Sequence, residues 1–498
     1  MSLMELKSGT DIRGVASEGV IGESINLTNE AVFAITTAFV AWLKNKLQDD
    51  KKELRISVGH DSRISAARIK EMVVSALNNC NVHVLDCGLS STPAMFMTTV
   101  ELDCDAAVQI TASHHPWHRN GLKFFTREGG LAGGDIASIL TEAENEESSP
   151  EFHSLVAEKC NYMKQYAANL RKMICDGVGA KEEDKPLSGW KIAVDAGNGV
   201  GGFYAFDVLE KLGADVSASQ FTEPDGMFPN HIPNPENPTA MEAISKAVVE
   251  SNSDFGIIFD TDVDRAACVD STGKEINRNR LVALASAIAL EGNEGGTIVT
   301  DSVTSSGLKM FIENTLGGVH CRFKRGYKNV INEQIGLNES GVNCPLAIET
   351  SGHAAFKENY YLDDGAYLIT KIIIKMARLR AEGKTINSLL SDLKEPAEAK
   401  EIRFRILEQD FKAYGMSVID RLEAYAQQQS DWRVADDNHE GIRVSVDNVG
   451  GWFLLRLSVH DPIMPFNIES DKVGGVEQIV SLLKPFFASC DGLDISVL

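Results

Sequence analysis

Among the 498 residues there is no Cys-x-x-Cys pair and no metal-finger spacing, although nine cysteines, an odd number, are scattered along the chain. This pattern argues against a disulfide framework or a structural zinc site and predicts reduced thiols in a cytoplasmic protein. Positive charge is also scarce: 48 Lys and Arg face 71 Asp and Glu, a formal charge of −23. Such a surface repels nucleic acid and anionic membranes, so neither is expected as a partner. Long apolar runs are missing too. The most apolar windows, 31–43 and 281–290, fall short of the about 18 residues that a membrane span needs, and they read as buried helices. The first residues turn polar by Glu5, Lys7 and Asp11, unlike a secretory leader. No short repeat recurs, so any repetition must be structural.

What is present is apolar material for several cores, with 43% hydrophobic and 24% charged residues. At about 100–200 residues per domain, the length predicts three or four domains. A short apolar strand, a glycine-rich loop and an amphipathic helix follow one another repeatedly. Residues 55–59, 191–199, 255–260 and 297–301 each read as strand ends opening into loops, the signature of α/β layering. Polar stretches at 179–188, 270–279 and 393–400 read as linkers. Beyond them 402–406, 441–446 and 452–459 read as strands of a compact α+β module.

The most informative segment is 104–123, CDAAVQITASHHPWHRNGLK. Its apolar run reads as a buried strand that delivers Thr111-Ala112-Ser113-His114-His115-Pro116 as a loop. Pro116 keeps helix from entering that loop, so Ser113 is expected on an exposed turn. Asn120-Gly121 reads as a second tight turn that returns Lys123 toward the same region. A hydroxyl, an adjacent imidazole and a lysine together suit phosphate chemistry, because lysine can neutralise phosphoryl oxygens or move a proton. The glycine-flanked nucleophile elbow of serine hydrolases is missing, since Thr111 and His115 hold those places.

A second motif follows the apolar run 255–259: Asp260-Thr261-Asp262-Val263-Asp264-Arg265. Alternate residues of an extended segment face the same way, so three carboxylates can converge on one hard cation, with magnesium the natural candidate and a phosphorylated Ser113 a further oxygen ligand. An EF-hand fails, because its glycine and glutamate places hold Arg265 and Ser271. Two readings remain beside the metal site: a phosphatase with Asp260 as nucleophile, Asp262 as acid/base and Asp363-Asp364 downstream, as in the haloacid dehalogenase family, and a solvated acidic turn.

Three further segments carry candidate chemistry. The spaced glycines of 197–202, with Asp215 downstream, match a dinucleotide fingerprint weakly, and the structural reading of a packed turn is preferred. In Ile348-Glu349-Thr350-Ser351-Gly352-His353, Glu349 and Ser351 can bond vicinal sugar hydroxyls and His353 can relay a proton. In Arg456-Leu457-Ser458-Val459-His460-Asp461-Pro462, an arginine fork and a hydroxyl two residues later can clamp a phosphate.

Taken in order, these segments resemble the α-D-phosphohexomutase family. Its phosphoserine loop usually reads Thr-Ala-Ser-His-Asn-Pro followed by Asn-Gly-x-Lys, and this chain departs from it at His115 and Arg119. Its metal loop reads Asp-Gly-Asp-x-Asp-Arg, with Thr261 here in place of glycine. Its sugar loop reads Gly-Glu-x-Ser-Gly-His, with Ile348 for the first glycine, and its phosphate loop Arg-x-Ser-x-Thr-Glu-Pro, with His460 and Asp461 substituted. Segments 8–14, 58–65 and 91–93 also fit, so the resemblance runs from about residue 8 to 470.

The resemblance implies three consecutive α/β mixed-sheet domains, at 1–186, 187–277 and 278–396, and a smaller α+β domain at 397–498, around a central cleft. It implies an intramolecular phosphotransferase that interconverts hexose 1-phosphate and hexose 6-phosphate through phosphorylated Ser113 and a 1,6-bisphosphate. Lys123 is then the first choice for general base, with His114 and His353 as alternative proton carriers and Arg13 as a cation beside the phosphoserine. Ser113, Asp260, Asp262 and Asp264 hold Mg2+, supported by Arg265, while Glu349, Ser351, Lys324, Arg456, Ser458 and His460 bind substrate. Hexose 1,6-bisphosphate is expected as activator, hexose phosphates as partners, and a monomer or homodimer as the assembly. The alternatives are the Asp-nucleophile phosphatase and a non-catalytic sugar-phosphate-binding protein.

Overall fold

The computed structural model describes residues 2–49, 53–145, 155–458 and 461–498. They divide into two compact units, the first holding residues 1–281 and 351–388, the second 282–350 and 389–498.

The first unit contains an eight-stranded and a four-stranded sheet, together with the short antiparallel strands Ala354–Phe356 and Leu362–Asp363. In the larger, Arg55–His60 lies between Ala106–Ile110 and His83–Leu89, all parallel, and Arg119–Thr126 runs antiparallel beside Ala106–Ile110. Every residue of Ala106–Ile110 is buried, as expected of a strand covered on both faces. Helices Asn29–Leu47, Ala66–Asn79 and Gly133–Asn145 supply Phe39, Ile69 and Ile136 to its core. The window at 31–43 thus lies within a buried helix, started by Thr28, whose hydroxyl accepts from the Ala31 N–H at 3.2 Å. Asn120 and Gly121, expected in a turn, instead lie inside the strand Arg119–Thr126, where Gly121 pairs with Arg13. A Cβ on Gly121 would sit 2.2 Å from the Ile12 carbonyl, so the glycine permits close approach of two strands rather than a reversal.

The smaller sheet runs in the order Glu275–Ile276, Ala266–Asp270, Phe255–Phe259, Ile192–Asp195. The stretch at 270–279, read as a linker, contains the hairpin that joins its first two strands, closed by the Asp270 N–H donating to the Lys274 carbonyl at 3.0 Å. At the end of Ile192–Asp195 the His231 Nε2 lies 3.0 Å from both carboxylate oxygens of Asp195, and Nδ1 lies 3.0 Å from the Ile232 carbonyl. Both ring nitrogens therefore face acceptors, which only an imidazolium satisfies. Burial by itself would lower the His231 pKa, but Asp195 more than offsets it and the net shift is upward. A raised folded pKa gives stability that is complete below about pH 6.5, the unfolded value, and is lost as pH rises through the folded value. The gap in Tm between wild type and His231→Gln should accordingly narrow as melts are repeated at increasing pH; a constant gap would refute the ion pair.

In the second unit, Thr297–Thr300 lies between Val319–Arg322 and Leu346–Ile348, all parallel. Six antiparallel strands follow in the order Trp432–Val434, Ile442–Val446, Gly451–Leu455, Ile463–Ser470, Glu398–Ile406, Leu493–Asp494. Helices Phe411–Ala426 and Gly475–Ala488 add Val418, Ile479 and Phe487 to a core around Phe404, Phe453 and Phe466. This is the α+β module that the sequence predicts. Its first strand begins at Glu398, inside the stretch at 393–400 read as a linker.

Candidate active site

Ser113 follows the strand Ala106–Ile110 with a backbone φ of 49°, in the left-handed region that a non-glycine residue rarely adopts. Its N–H donates to Thr111 Oγ1 at 2.9 Å, and Thr111 Oγ1 donates to Asp61 Oδ2 at 2.7 Å. The expected exposure is not found: Ser113 is 3% exposed. The cause is a contact from the smaller sheet, since Ser113 Oγ donates to Asp260 Oδ2 at 2.9 Å and accepts from Arg265 Nη2 at 3.2 Å. The seryl oxygen is buried beside the acidic trio.

Asp260 leaves the end of Phe255–Phe259, and Asp262 and Asp264 follow in the loop before Ala266–Asp270. Three glycines let this loop pack closely: a Cβ on Gly199 would lie 2.5 Å from the Thr261 carbonyl, and one on Gly352 or Gly365 would collide with the Ala266 or Arg265 backbone. The glycine run at 197–202 thus meets the acidic loop, in agreement with its packing role. Val263 sits at φ 66°, a strained position for a β-branched residue.

One carboxylate oxygen from each of the three aspartates lies within 4.8 Å of the others. Lys123 Nζ lies 2.5 Å from Asp264 Oδ2 and 3.3 Å from Asp262 Oδ2, whereas the Oδ1 atoms of both aspartates are buried without a hydrogen-bond partner. Burial and the Asp264 charge push Asp260 well above the usual carboxylate range. Burial would raise Asp264 as well, but Lys123, His353 and Arg265 hold it well below that range. An all-oxygen set with two orphaned acceptors and a carboxyl that resists ionisation suits a hard divalent cation. Magnesium added to metal-free protein should raise Tm, by about 2.7 kcal/mol of stability at 100 times Kd, and Asp262→Asn should blunt the rise. Equal rises in both proteins would refute the site.

Arg265, fully buried, ties these parts together. Its Nε and Nη2 each lie 3.1 Å from Asp260 Oδ2, and Nη2 donates to His114 Nδ1 at 2.8 Å. His114 Nδ1 also lies 3.3 Å from Ser113 Oγ. Burial, then the Arg265 cation, hold the His114 pKa far below its ordinary value, so its imidazole is neutral and acts as an acceptor. Arg13, paired with Asp11 at 2.8 Å, adds to the field that lowers His114 and, after burial, pushes His115 down to about 3. His353 is bridged to the Arg265 backbone and its Nδ1 is hydrogen-bonded to Asp363 Oδ2. Burial would lower His353, but Asp363 more than offsets it and raises the pKa to about 9. Asp364 caps the helix Gly365–Ala381 and accepts from Tyr166 Oη at 2.7 Å. The acidic pair that a phosphatase reading would recruit is thus committed to other partners.

Three residues of the segments 58–65 and 91–93, which fit the family resemblance but carry no role in it, complete the site. Arg63 holds the serine loop by its main chain: its guanidinium donates to the carbonyls of Ser113, His115 (2.7 Å), Pro116 (2.8 Å) and Arg119 (2.8 Å). Asp61 balances it, with Oδ2 3.2 Å from Arg63 Nε. Thr92, in the first turn of helix Thr92–Glu101, donates from its N–H to the Asp262 carbonyl at 2.9 Å and from Oγ1 to Asp262 Oδ2 at 2.5 Å. The available signal was an Asp-x-Arg triplet directly after a strand, at 61–63.

Ser351, buried, belongs to the first unit with His353, while Glu349 belongs to the second. There Glu349 Oε1 accepts the Gly326 N–H at 2.6 Å. Lys324 is exposed at the start of the same loop. Glu440, also unanticipated, accepts the Arg325 N–H at 2.8 Å and lies 3.5 Å from Arg456 Nε, so the main chain of Arg325-Gly326 links Glu349 to Glu440 and Arg456. Ser458 Oγ accepts from the Asp461 N–H at 3.3 Å. His460 lies outside the described residues. Among those residues, no helix is long and apolar enough to cross a membrane.

The chain as a whole also matches known proteins. Residues 5–150, 162–273 and 277–396 match, in order, the alpha/beta/alpha domains I, II and III of phosphoglucomutase/phosphomannomutase. The phosphomannomutase/phosphoglucomutase of Pseudomonas putida is 28% identical over 477 residues, covering 95% of this chain and 93% of that protein. The phosphoglucomutase of Neisseria meningitidis is 28% identical over 473 residues, covering 95% of each. In fold, a crystal structure of a phosphoglucomutase/phosphomannomutase family protein from Burkholderia thailandensis superposes with a TM-score of 0.79 at 24% identity, covering 99% of this chain and 98% of that one. With the three domains matched in sequence order, the chain belongs to the phosphoglucomutase/phosphomannomutase family of α-D-phosphohexomutases and is an isomerase of the intramolecular phosphotransferase class.

Proposed function

We propose that the protein interconverts the 1- and 6-phosphates of glucose, mannose or both through phosphorylated Ser113 and a bound hexose 1,6-bisphosphate. The observation that carries this reading is the Ser113 oxygen 2.9 Å from Asp260, inside a buried trio of carboxylates. The names of the Pseudomonas and Neisseria relatives support both sugars.

In the first half-reaction a free hydroxyl of the hexose monophosphate attacks the phosphorus on Ser113. A new phosphorus–oxygen bond forms, the bond to Ser113 Oγ breaks, and the hydroxyl proton passes to a base. The bisphosphate then presents its other end, and Ser113 Oγ takes that phosphoryl group back. Lys123 is the first choice for that base, with His114, whose imidazole is held neutral 3.3 Å from the seryl oxygen, and the His353–Asp363 pair as alternative proton carriers. Arg265 and Arg13 place cationic charge near the transferring group. Asp260, Asp262, Asp264 and the seryl group would hold magnesium, which would supply neutralising charge for the phosphoryl oxygens. Glu349 and Ser351 are assigned to sugar hydroxyls, and Lys324, Arg456, Ser458 and His460 to the distal phosphate.

The test is isomerisation of glucose 1-phosphate and mannose 1-phosphate with magnesium and a trace of bisphosphate, alongside phosphopeptide mapping of the resting protein. Both 6-phosphates, or one, should form, with phosphate on Ser113. Steady release of inorganic phosphate without isomer would overturn the reading in favour of a phosphatase; tight binding without turnover would reduce the protein to a sugar-phosphate binder.

A further inference from the structure

Away from the site described above, Cys87 lies on the strand His83–Leu89 and Cys160 directly after the short strand that pairs with it. The strand His83–Leu89 pairs in parallel with Glu158–Lys159 through Leu85 with Glu158 and Asp86 with Lys159. Cys160 directly follows that ladder, and its N–H donates at 3.0 Å to the carbonyl of Asp86, the residue before Cys87. Neighbouring strands run about 4.8 Å apart, inside the roughly 4.4–6.8 Å between Cα atoms that a disulfide spans. The strand also bulges at this point. On its other edge the pairing passes from Val58 with Asp86 to Gly59 with Gly88, so Cys87 is the extra residue, and a bulge re-aims the side chain that it carries. After burial, the Cys160 thiol is the strongest influence that pushes the Cys87 thiol up, as expected of adjacent sulfur atoms, with Cys104 next. Cys87 is buried and Cys160 half-buried, so the pair has one accessible member.

We propose that Cys87 and Cys160 form a reversible disulfide, a redox modification site at the edge of the larger sheet. The oxidant is a low-molecular-weight disulfide such as oxidised glutathione. Cys160, the accessible thiol, gives up its proton, and its sulfur attacks one glutathione sulfur. That S–S bond breaks, and the departing glutathione thiolate takes the proton. Cys87 then attacks the Cys160 sulfur of the mixed disulfide and expels the second glutathione as a thiol. Two protein thiols are oxidised while one glutathione disulfide is reduced to two thiols. The bond joins the segment entering helix Tyr162–Val178 to the strand whose chain continues through Ser90 and Ser91 to Thr92, the partner of Asp262.

Oxidised glutathione added to the full chain should lower the thiols counted in denaturant from nine to seven, two per bond, and dithiothreitol should restore them. Non-reducing peptide mapping should return the Cys87 and Cys160 peptides linked. Cys104→Ser should behave as wild type in forming this link, whereas Cys160→Ser should form no internal bond. An unchanged thiol count, a Cys160 that stops at the glutathione adduct, or a Cys87–Cys104 link would each overturn the proposal.

Discussion

Replacing Ser113 by alanine should lower the isomerisation rate by about 10^4-fold or more, because the phosphoryl group then has no oxygen on which to rest. Stability should change little. The variant loses the hydrogen bonds that Ser113 Oγ donates to Asp260 Oδ2 and accepts from Arg265 Nη2, a net loss of about 1–2 kcal/mol because Arg265 and Asp260 continue to satisfy each other. A protein that melts near the wild-type temperature yet no longer turns over would separate chemistry from folding. Ser113→Thr sharpens the test. It restores a hydroxyl but puts a β-branched side chain at a φ of 49°, so the expected recovery is small despite the correct functional group. If Ser113→Ala kept even about a hundredth of the wild-type rate, the phosphoserine route would fail.

The second large effect is expected from a residue that holds the main chain around the reacting oxygen. Arg63→Met removes the donors that hold the carbonyls of Ser113, His115, Pro116 and Arg119, and it strands the buried carboxylate of Asp61. Breaking a buried ion pair from one side costs about 3–5 kcal/mol, and the freed loop should cost a further ~10^2-fold in rate by misplacing Ser113. Pairing the change with Asp61→Asn should return part of the stability but none of the rate, since the charge is relieved while the carbonyls stay unheld. Arg63→Lys should also fall short, because an ammonium cannot reproduce a planar fork that reaches four acceptors. Denaturant unfolding together with steady-state kinetics measures both. Stability within about 1 kcal/mol of wild type for Arg63→Met would show that the loop stands without this anchor.

These two residues also mark what could be read from the chain alone. The acidic loop was legible because its logic is local: alternation in one extended segment brings Asp260, Asp262 and Asp264 together whatever surrounds them. Ser113 was legible as a nucleophile but not as a buried one. Its burial comes from Asp260, 147 positions along the chain, and no local pattern encodes a partner that distant. Arg63 fell within a matching segment, 58–65, but its role was not legible for a related reason, since it binds main-chain carbonyls, which every residue carries. Asn120-Gly121 misled in the opposite direction. Its strong turn propensity yields to strand pairing, where Gly121 is needed for its missing side chain and not for its backbone freedom. The C-terminal module was recognisable by its alternating strands, yet the role of Glu440 depends on the loop at 324–326 and became visible only in three dimensions.

Val263 shows what such a fold does with its surplus stability. A left-handed valine at the centre of the acidic loop is an uphill conformation, and the neighbouring glycines and strands must compel it when the chain folds. The work of crowding three carboxyl groups is therefore done once, when the chain folds, and is not repeated in each catalytic cycle. A cation or phosphoryl group arriving there meets a mould already set, and little of its binding free energy is diverted into rearranging the walls.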